Sequence, residues 1–223
     1  NISESEKFYV EKININGNFN TLEEVIRNNL IIDEGDPFNE ILFNKSVNEI
    51  QSLGIFKKVK TDIKEGSNQS FKIIDLDVEE RPTGEISISA GFGTDGETIG
   101  AGLKENNFLG KGIKLNTNIE LTADSIKGGF IYAKPNFNYS DNTLFTSLKS
   151  STSDFLSNSG YKTSEIGFSL GTKFEQFQNI FLSPEIDFLI EDLETSDKAS
   201  STLKKQEGSY TDLSFNYSIN QDL

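Results

Sequence analysis

Asp187, Glu191 and Asp192 come closest to a reactive cluster in this sequence, three carboxylates within six positions near the end of an alternating segment. Paired carboxylates can serve as general acid and base, and grouped oxygen ligands can hold calcium. Neither chemistry has its other parts here, since no regularly spaced ligand loop and no nucleophile beside a base accompany them. The chain has no His, Cys, Met or Trp. Imidazole-based triads, thiolate nucleophiles and the usual zinc ligands are therefore all excluded. Isolated acids on a polar face are more often solvated charges than catalysts. The sequence points away from an enzyme and calls for no cofactor. A formal charge of −14, with Arg27 and Arg81 as the only arginines, argues against a nucleic-acid groove. The acidity is dispersed, as on a solvated surface.

The elements that would carry such side chains fall into two halves. The boundary lies near Arg81-Pro82-Thr83-Gly84, where the hydrophobic period changes. Residues 1–7 read as the end of a preceding segment, 8–82 as one small domain and 83–223 as another. In the first, Phe8 to Ile15 reads as a strand ending in the Asn16-Gly17-Asn18 turn. Thr21 and Glu24 fit a capping box for a helix whose apolar face is Leu22, Val25, Ile26 and Leu30. Asp33-Glu34-Gly35-Asp36-Pro37 ends that helix. A second helix from about Asn39 turns Phe43, Val47 and Ile50 inward and stops at Leu53-Gly54. Two strands follow, Phe56 to Glu65 with Val59, Thr61 and Ile63 on one face, and Lys72 to Glu80 with Ile74, Leu76 and Val78 on one face. Gly66-Ser67-Asn68-Gln69 links them as a hairpin. The order β-α-α-β-β gives an α+β domain with two helices on one face of a three-stranded sheet. Lys12 and Arg81 are expected to be solvated.

The second half alternates almost throughout, in eight segments of roughly 9–13 residues, the length a tilted strand needs to cross a bilayer. Ile86, Ile88, Ala90 and Phe92 oppose Ser87, Ser89, Gly91 and Gly93. Ile186, Phe188 and Ile190 oppose Glu185, Asp187 and Glu191. A soluble sandwich also alternates, but its strands are nearer about 5–6 residues. Here the polar side carries Lys114, Glu120, Lys149, Asp187 and Glu191, as a wet lumen allows. Links at 106–112, 135–142 and 174–179 are compact, while those at 154–163 and 192–208 are longer and polar. Phe108, Phe137, Tyr139, Phe145, Phe155, Tyr161 and Phe177 lie near strand ends, as interfacial aromatic girdles do. The expected fold class is an α+β domain followed by transmembrane antiparallel β-barrel strands. A soluble, secreted β-rich adhesin is the contrasting reading.

Several segments resemble BamA-type outer-membrane assembly factors. Phe8-Tyr9-Val10, Lys12-Ile13, Gly17-Asn18, Leu53-Gly54-Ile55-Phe56 and Val78 to Gly84 resemble the last POTRA domain of that family and its junction with the barrel. Gly91-Phe92-Gly93-Thr94-Asp95-Gly96, Gly100-Ala101-Gly102 and Asn106 to Gly112 resemble its first two barrel strands and their periplasmic turn. Pro135-Asn136-Phe137 resembles a later turn. Each motif is short, and their order and spacing over residues 8 to 137 carry the resemblance.

The resemblance implies a protein of the outer membrane, its POTRA domain in the periplasm, that folds and inserts β-barrel proteins without a cofactor. The partners implied are unfolded outer-membrane proteins, a BamD-type lipoprotein and outer-membrane lipid. Glu34 and Arg27 match family residues associated with lipoprotein docking. Gly84, Glu85, Ile86, Ser87, Ile88, Ser89, Ala90, Gly91, Phe92 and Gly93 match the first barrel strand, which templates an arriving substrate strand by β-augmentation. Gly91 and Gly93 suit a pliable edge, or relieve crowding inside a curved sheet. The family implies a barrel of about sixteen strands, so this chain is expected to be a fragment, entering at Asn1-Ile2-Ser3-Glu4 and stopping at Asn220-Gln221-Asp222-Leu223. A TamA-type sister or a two-partner secretion transporter of the same superfamily is the nearest alternative.

Overall fold

The computed structural model describes residues 7–93 and 96–221. The expected leading segment, apart from Lys7, therefore lies outside the described residues, as do Thr94, Asp95, Asp222 and Leu223. The chain divides into two bodies. One runs to Thr83 and includes Asn106–Gly112; the other comprises Gly84–Glu105 and the residues from Ile113 onward.

In the first body, β1 (Tyr9–Asn16), α1 (Glu23–Arg27), α2 (Glu40–Ser52), β2 (Phe56–Glu65) and β3 (Phe71–Glu80) follow in order. The sheet order is β1-β3-β2, with β3 parallel to β1 and antiparallel to β2. Val25, Ile26, Ile50, Ile55, Phe56, Val59, Leu76 and Val78 form one buried cluster, and Val10, Ile13, Ile32, Phe43 and Ile74 another. Each fully buried Ile or Phe contributes about 1.5–3 kcal/mol of transfer free energy. The helix α2 begins where Asn39 accepts hydrogen bonds from the amides of Ile41 and Leu42. Gly54, at φ +69°, lets the chain leave it.

Two expectations need correction. The capping box does not form: Leu22 is the N-cap of α1, with no side-chain capping bond, and the helix is only five residues long. Thr21 is drawn away because its hydroxyl and amide are bonded elsewhere, as described below. Leu22, expected inward, is 42% exposed. In β2, Val59, Thr61 and Ile63 do share one face, opposite Val78, Leu76 and Ile74, with Val59 buried and Ile63 exposed. A register shift between Phe56 and Lys58 turns buried Phe56 to that same face, because one extra residue reverses the alternation.

The second body is an eight-stranded antiparallel meander: β4 (Gly84–Gly93), β5 (Gly96–Phe108), β6 (Ile113–Leu121), β7 (Ser125–Lys134), β8 (Thr143–Phe155), β9 (Tyr161–Phe177), β10 (Ile180–Thr195) and β11 (Gly208–Gln221). A short helix, α3 (Ser201–Lys204), sits in the last long loop. Register places Ile88 opposite Ala101, Phe130 opposite Leu148, Leu148 opposite Phe168, Phe168 opposite Phe188 and Phe188 opposite Leu213. One face is therefore an apolar band across the sheet. The other carries Lys149, Ser147, Ser169, Asp187 and Asp212.

The link between β9 and β10 is tighter than expected, with only Gln178 and Asn179 between the strands and Asn179 at φ +61°. Phe145, Phe155 and Tyr161 also depart from a girdle. Phe145 pairs with Gly171, and Phe155 with Tyr161, on the polar face. A Cβ at Gly171 would lie 2.3 Å from the Phe145 ring, so the missing side chain makes room for it. The Tyr139 side chain lies outside the described residues.

Candidate docking and templating surfaces

Glu34 and Arg27 come together on the outer edge of β1. Gly35, at φ +96°, turns the loop so that its amide donates to the Val10 carbonyl at 2.7 Å, while the Val10 amide donates to Asp36 at 2.9 Å. Beyond this stretch the edge is covered by side chains. The Ile13 amide donates to Glu34 Oε1 at 3.0 Å, and Arg27 Nη2 donates to the Ile13 carbonyl at 3.1 Å. Arg27 Nη1 lies 3.8 Å from Glu34 Oε1, and Arg27 Nε donates to Glu23 at 2.6 Å. The side chains of Arg27 and Glu34 remain 39% and 44% exposed. The pair thus protects a strand edge and still presents charge to solvent.

The candidate templating strand β4 is an edge strand, exposed along its whole length and paired only with β5 among the described residues. Its glycines differ from those facing them. A Cβ at Gly91 or Gly93 would meet nothing within 4 Å, whereas one at Gly100 or Gly102 would crowd the hydroxyls of Ser89 or Ser87 at 2.6 and 2.8 Å. Among the described residues, crowding therefore does not account for Gly91 and Gly93.

Sequence reasoning missed a clasp within the first body. The turn 106–112 carries Leu109, Gly110 and Gly112 at φ +58°, +71° and +64°. Asn107 Nδ2 donates to the Thr21 hydroxyl at 2.8 Å, its Oδ1 accepts from the Gly112 amide at 2.8 Å, and the Leu22 amide donates to the Gly110 carbonyl at 2.8 Å. A Cβ at Gly110 would sit 2.0 Å from the Asn20 carbonyl oxygen. From the other side Glu80 accepts from the Thr21 amide at 2.7 Å and from the backbone and side chain of Asn20 at 3.1 and 2.8 Å. Burial by itself would raise the Glu80 carboxyl, but these hydrogen bonds from Thr21 and Asn20 outweigh it and hold it below its ordinary value. The signal was present in Asn107, Gly110 and Gly112, a turn composition with an amide side chain able to bond at both ends. Arg81 is exposed, as expected, and also donates from Nε to the Gly54 carbonyl at 2.7 Å.

The carboxylate group separates. Asp187 and Glu191 lie on the polar face, while Asp192 follows the alternation to the other face. Glu191 stands opposite Glu165, and Asp187 accepts a hydrogen bond from Asn216. Among the described residues no three acids are grouped to hold a metal ion.

Residues 8–81 match the family model of the POTRA domain, described as a surface antigen variable number repeat. The chain is 33% identical over 112 residues to the outer membrane protein assembly factor BamA of Neorickettsia risticii, a match covering 50% of this chain and 15% of that protein. It is 28% identical over 138 residues to BamA of Neisseria meningitidis, covering 61% of this chain and 17% of that protein. Among solved structures, BamA from Haemophilus ducreyi lacking POTRA domains 1–3 is similar, with a TM-score of 0.74 at 22% identity over 95% of this chain and 42% of that one. The chain therefore spans about a sixth of the length of these curated relatives. Residues 8–81 are a POTRA domain, and with the antiparallel sheet that follows they have the arrangement of the last POTRA domain and the first barrel strands in outer-membrane assembly factors of the BamA type.

Proposed function

We propose that this chain supplies the docking domain and the templating strand of a factor that folds β-barrel proteins and inserts them into the outer membrane. The observation that carries this reading is the direct succession of a POTRA domain and a barrel-type sheet whose first strand, β4, pairs only with β5 among the described residues. A strand arriving from an unfolded outer-membrane protein would add to the other edge of β4 through main-chain hydrogen bonds. Such templating makes and breaks no covalent bond, so the role is not enzymatic and needs no cofactor.

In this reading the apolar band faces outer-membrane lipid and the POTRA domain stands in the periplasm. Glu34 and Arg27 supply exposed charge for a BamD-type lipoprotein, and their hydrogen bonds to Ile13 hold that charge in place. Depleting the gene in its host and measuring folded outer-membrane barrels tests the proposal. Their abundance is expected to fall before growth stops, and unchanged abundance would refute it.

A further inference from the structure

We propose that β4 has a second register, two residues along β5, and that it shifts between the two while it handles an arriving strand. The register concerns β4 and β5 alone; its use in templating rests on the function proposed above.

The observed register carries a mismatch. On the apolar face Ile86 opposes Leu103, Ile88 opposes Ala101 and Ala90 opposes Ile99, but Phe92 opposes Glu97. Phe92 is 88% exposed, so Glu97 gives its ring no cover. Facing side chains are the unit of sheet stabilisation, and an aromatic ring against a carboxylate is a poor pair. Moving β4 by two residues toward its Gly84 end sets Ile88 against Leu103, Ala90 against Ala101 and Phe92 against Ile99. The mismatch passes to Ile86, which then meets Glu105. Three apolar pairs and one mismatch are present in either register.

The polar face admits the same step. Ser87 and Ser89 sit over Gly102 and Gly100, whose missing side chains make room for the hydroxyls. After the step Ser89 sits over Gly102 and Gly91 meets Gly100. A step of one residue is barred, because it turns the apolar side chains to the other face, and Gly-rich strands hold their register weakly. Two residues the other way would set Ala90 against Glu97 and Leu103 against Gly84. By sequence, the shifted register makes Asp95-Gly96 the two-residue bend, a favoured hairpin dipeptide, and Gly96 already stands at φ +87°. Two contacts near Gly84 hold the observed register instead: Glu85 opposite Lys104, and the 3.3 Å bond from the Asn106 amide to the Thr83 carbonyl. Releasing them moves β4 by about 7 Å, at about 3.4 Å per residue. A strand bonded to the free edge of β4 would travel with it.

The test uses the full-length protein in vesicles, with any cysteines outside this chain replaced, since this chain has none. Ala101→Cys is combined with Ile88→Cys, Ala90→Cys or Phe92→Cys, and linked peptides are quantified by mass spectrometry after mild oxidation. Ile88 faces Ala101 in the observed register, Ala90 in the shifted one and Phe92 in neither. Ala90→Cys is expected to link at least about tenfold faster than Phe92→Cys, because only facing residues come within disulfide reach. Equal rates would overturn the second register. Glu85→Gln should raise the Ala90→Cys link about two- to fivefold and Glu97→Leu, which repairs the Phe92 pair, should lower it as much. No response to either would also overturn it. Glu85→Cys with Lys104→Cys, once oxidised, locks the observed register. The locked protein is expected to fold a small outer-membrane barrel, diluted from urea, at least about fivefold more slowly than its reduced form. Equal rates would overturn the use of the shift and leave templating standing. A reduced form without activity beside an active parent would overturn the role given to Glu85 and Lys104. An inactive parent would sink the templating reading and with it the use, leaving the linking rates to judge the register.

Discussion

Replacing Gly110 with alanine tests the clasp between the turn and the first POTRA loop. Holding a residue with a Cβ at φ +71° costs about 1–2 kcal/mol. The new atom would also stand 2.0 Å from the Asn20 carbonyl oxygen, which must retreat by more than an ångström. That movement strains two hydrogen bonds, Leu22 to Gly110 and Asn107 to Thr21, each worth about 1 kcal/mol. The sum, about 3–4 kcal/mol, corresponds to several hundredfold in the local opening constant at about 1.4 kcal/mol per tenfold. Gly35→Ala serves as the control, because it has the same kind of backbone angle, φ +96°, and nothing within 4 Å of its Cβ. Hydrogen–deuterium exchange of the full-length protein in vesicles, read by mass spectrometry, resolves the effect. Peptides covering 17–24 and 106–113 should exchange far faster in Gly110→Ala and be unchanged in Gly35→Ala. Parent-like exchange at 17–24 in Gly110→Ala, or equal acceleration there by both variants, would refute the reasoning.

The POTRA domain should soften in acid. Hydrogen bonds from Lys64 and Asn14 lower the Asp75 carboxyl, the bond from Lys57 lowers Glu79, and those from Thr21 and Asn20 lower Glu80 against the effect of burial. Their contributions are present above the ordinary values of 3.8 and 4.5 and are lost as pH falls through the lower folded ones. Glu80→Gln should therefore flatten the acid limb of exchange at residues 17–24, and an unchanged limb would count against the assignment. Lys57 and Lys64 are raised by their bonds to Glu79 and Asp75, so their contributions persist below 10.5 and vanish only as pH climbs through the raised values. Phe168→Lys places a charge in the middle of the apolar band and should reduce folding into vesicles by about 2–4 kcal/mol in a urea titration. Asp212→Lys on the polar face should change it by less than about 1 kcal/mol, and equal effects would refute the assignment of faces. Glu34→Gln keeps an acceptor for the Ile13 amide but removes the charge, so exchange in β1 should hold while recovery of a lipoprotein partner drops. Undiminished recovery would remove Glu34 from the docking surface.

Periodicity made the second body legible, because each of its strands is long enough to show a two-residue repeat and packs against neighbours adjacent in sequence. In the POTRA domain Phe43, Ile50, Ile74, Leu76 and Val78 were readable for the same reason. What escaped depends on partners far apart in sequence. Thr21 looks like a cap because Glu24 follows three residues later, yet Asn107, 86 positions away, takes its hydroxyl. The shift near Lys57 puts Phe56 on the same face as Val59 and leaves no mark in composition. Glu34 is singled out by its match to a family residue, but its bond to Ile13 follows from the parallel placement of β1, which no local pattern encodes.

The first hairpin of the sheet has a gradient of stiffness along its length. Near its root Ile86 faces Leu103, Ser87 fills the space above Gly102, and the Asn106 amide donates to the Thr83 carbonyl at 3.3 Å. Toward its tip Gly91 faces Thr98 and Gly93 faces Gly96, and among the described residues no atom lies within 4 Å of where a Cβ would stand on Gly91 or Gly93 to resist a change of curvature. β4 is therefore a cantilever, firm at its Ile86 end and compliant at its far end. Force applied along its free edge would bend the glycine end first and leave the Ile86 end in register.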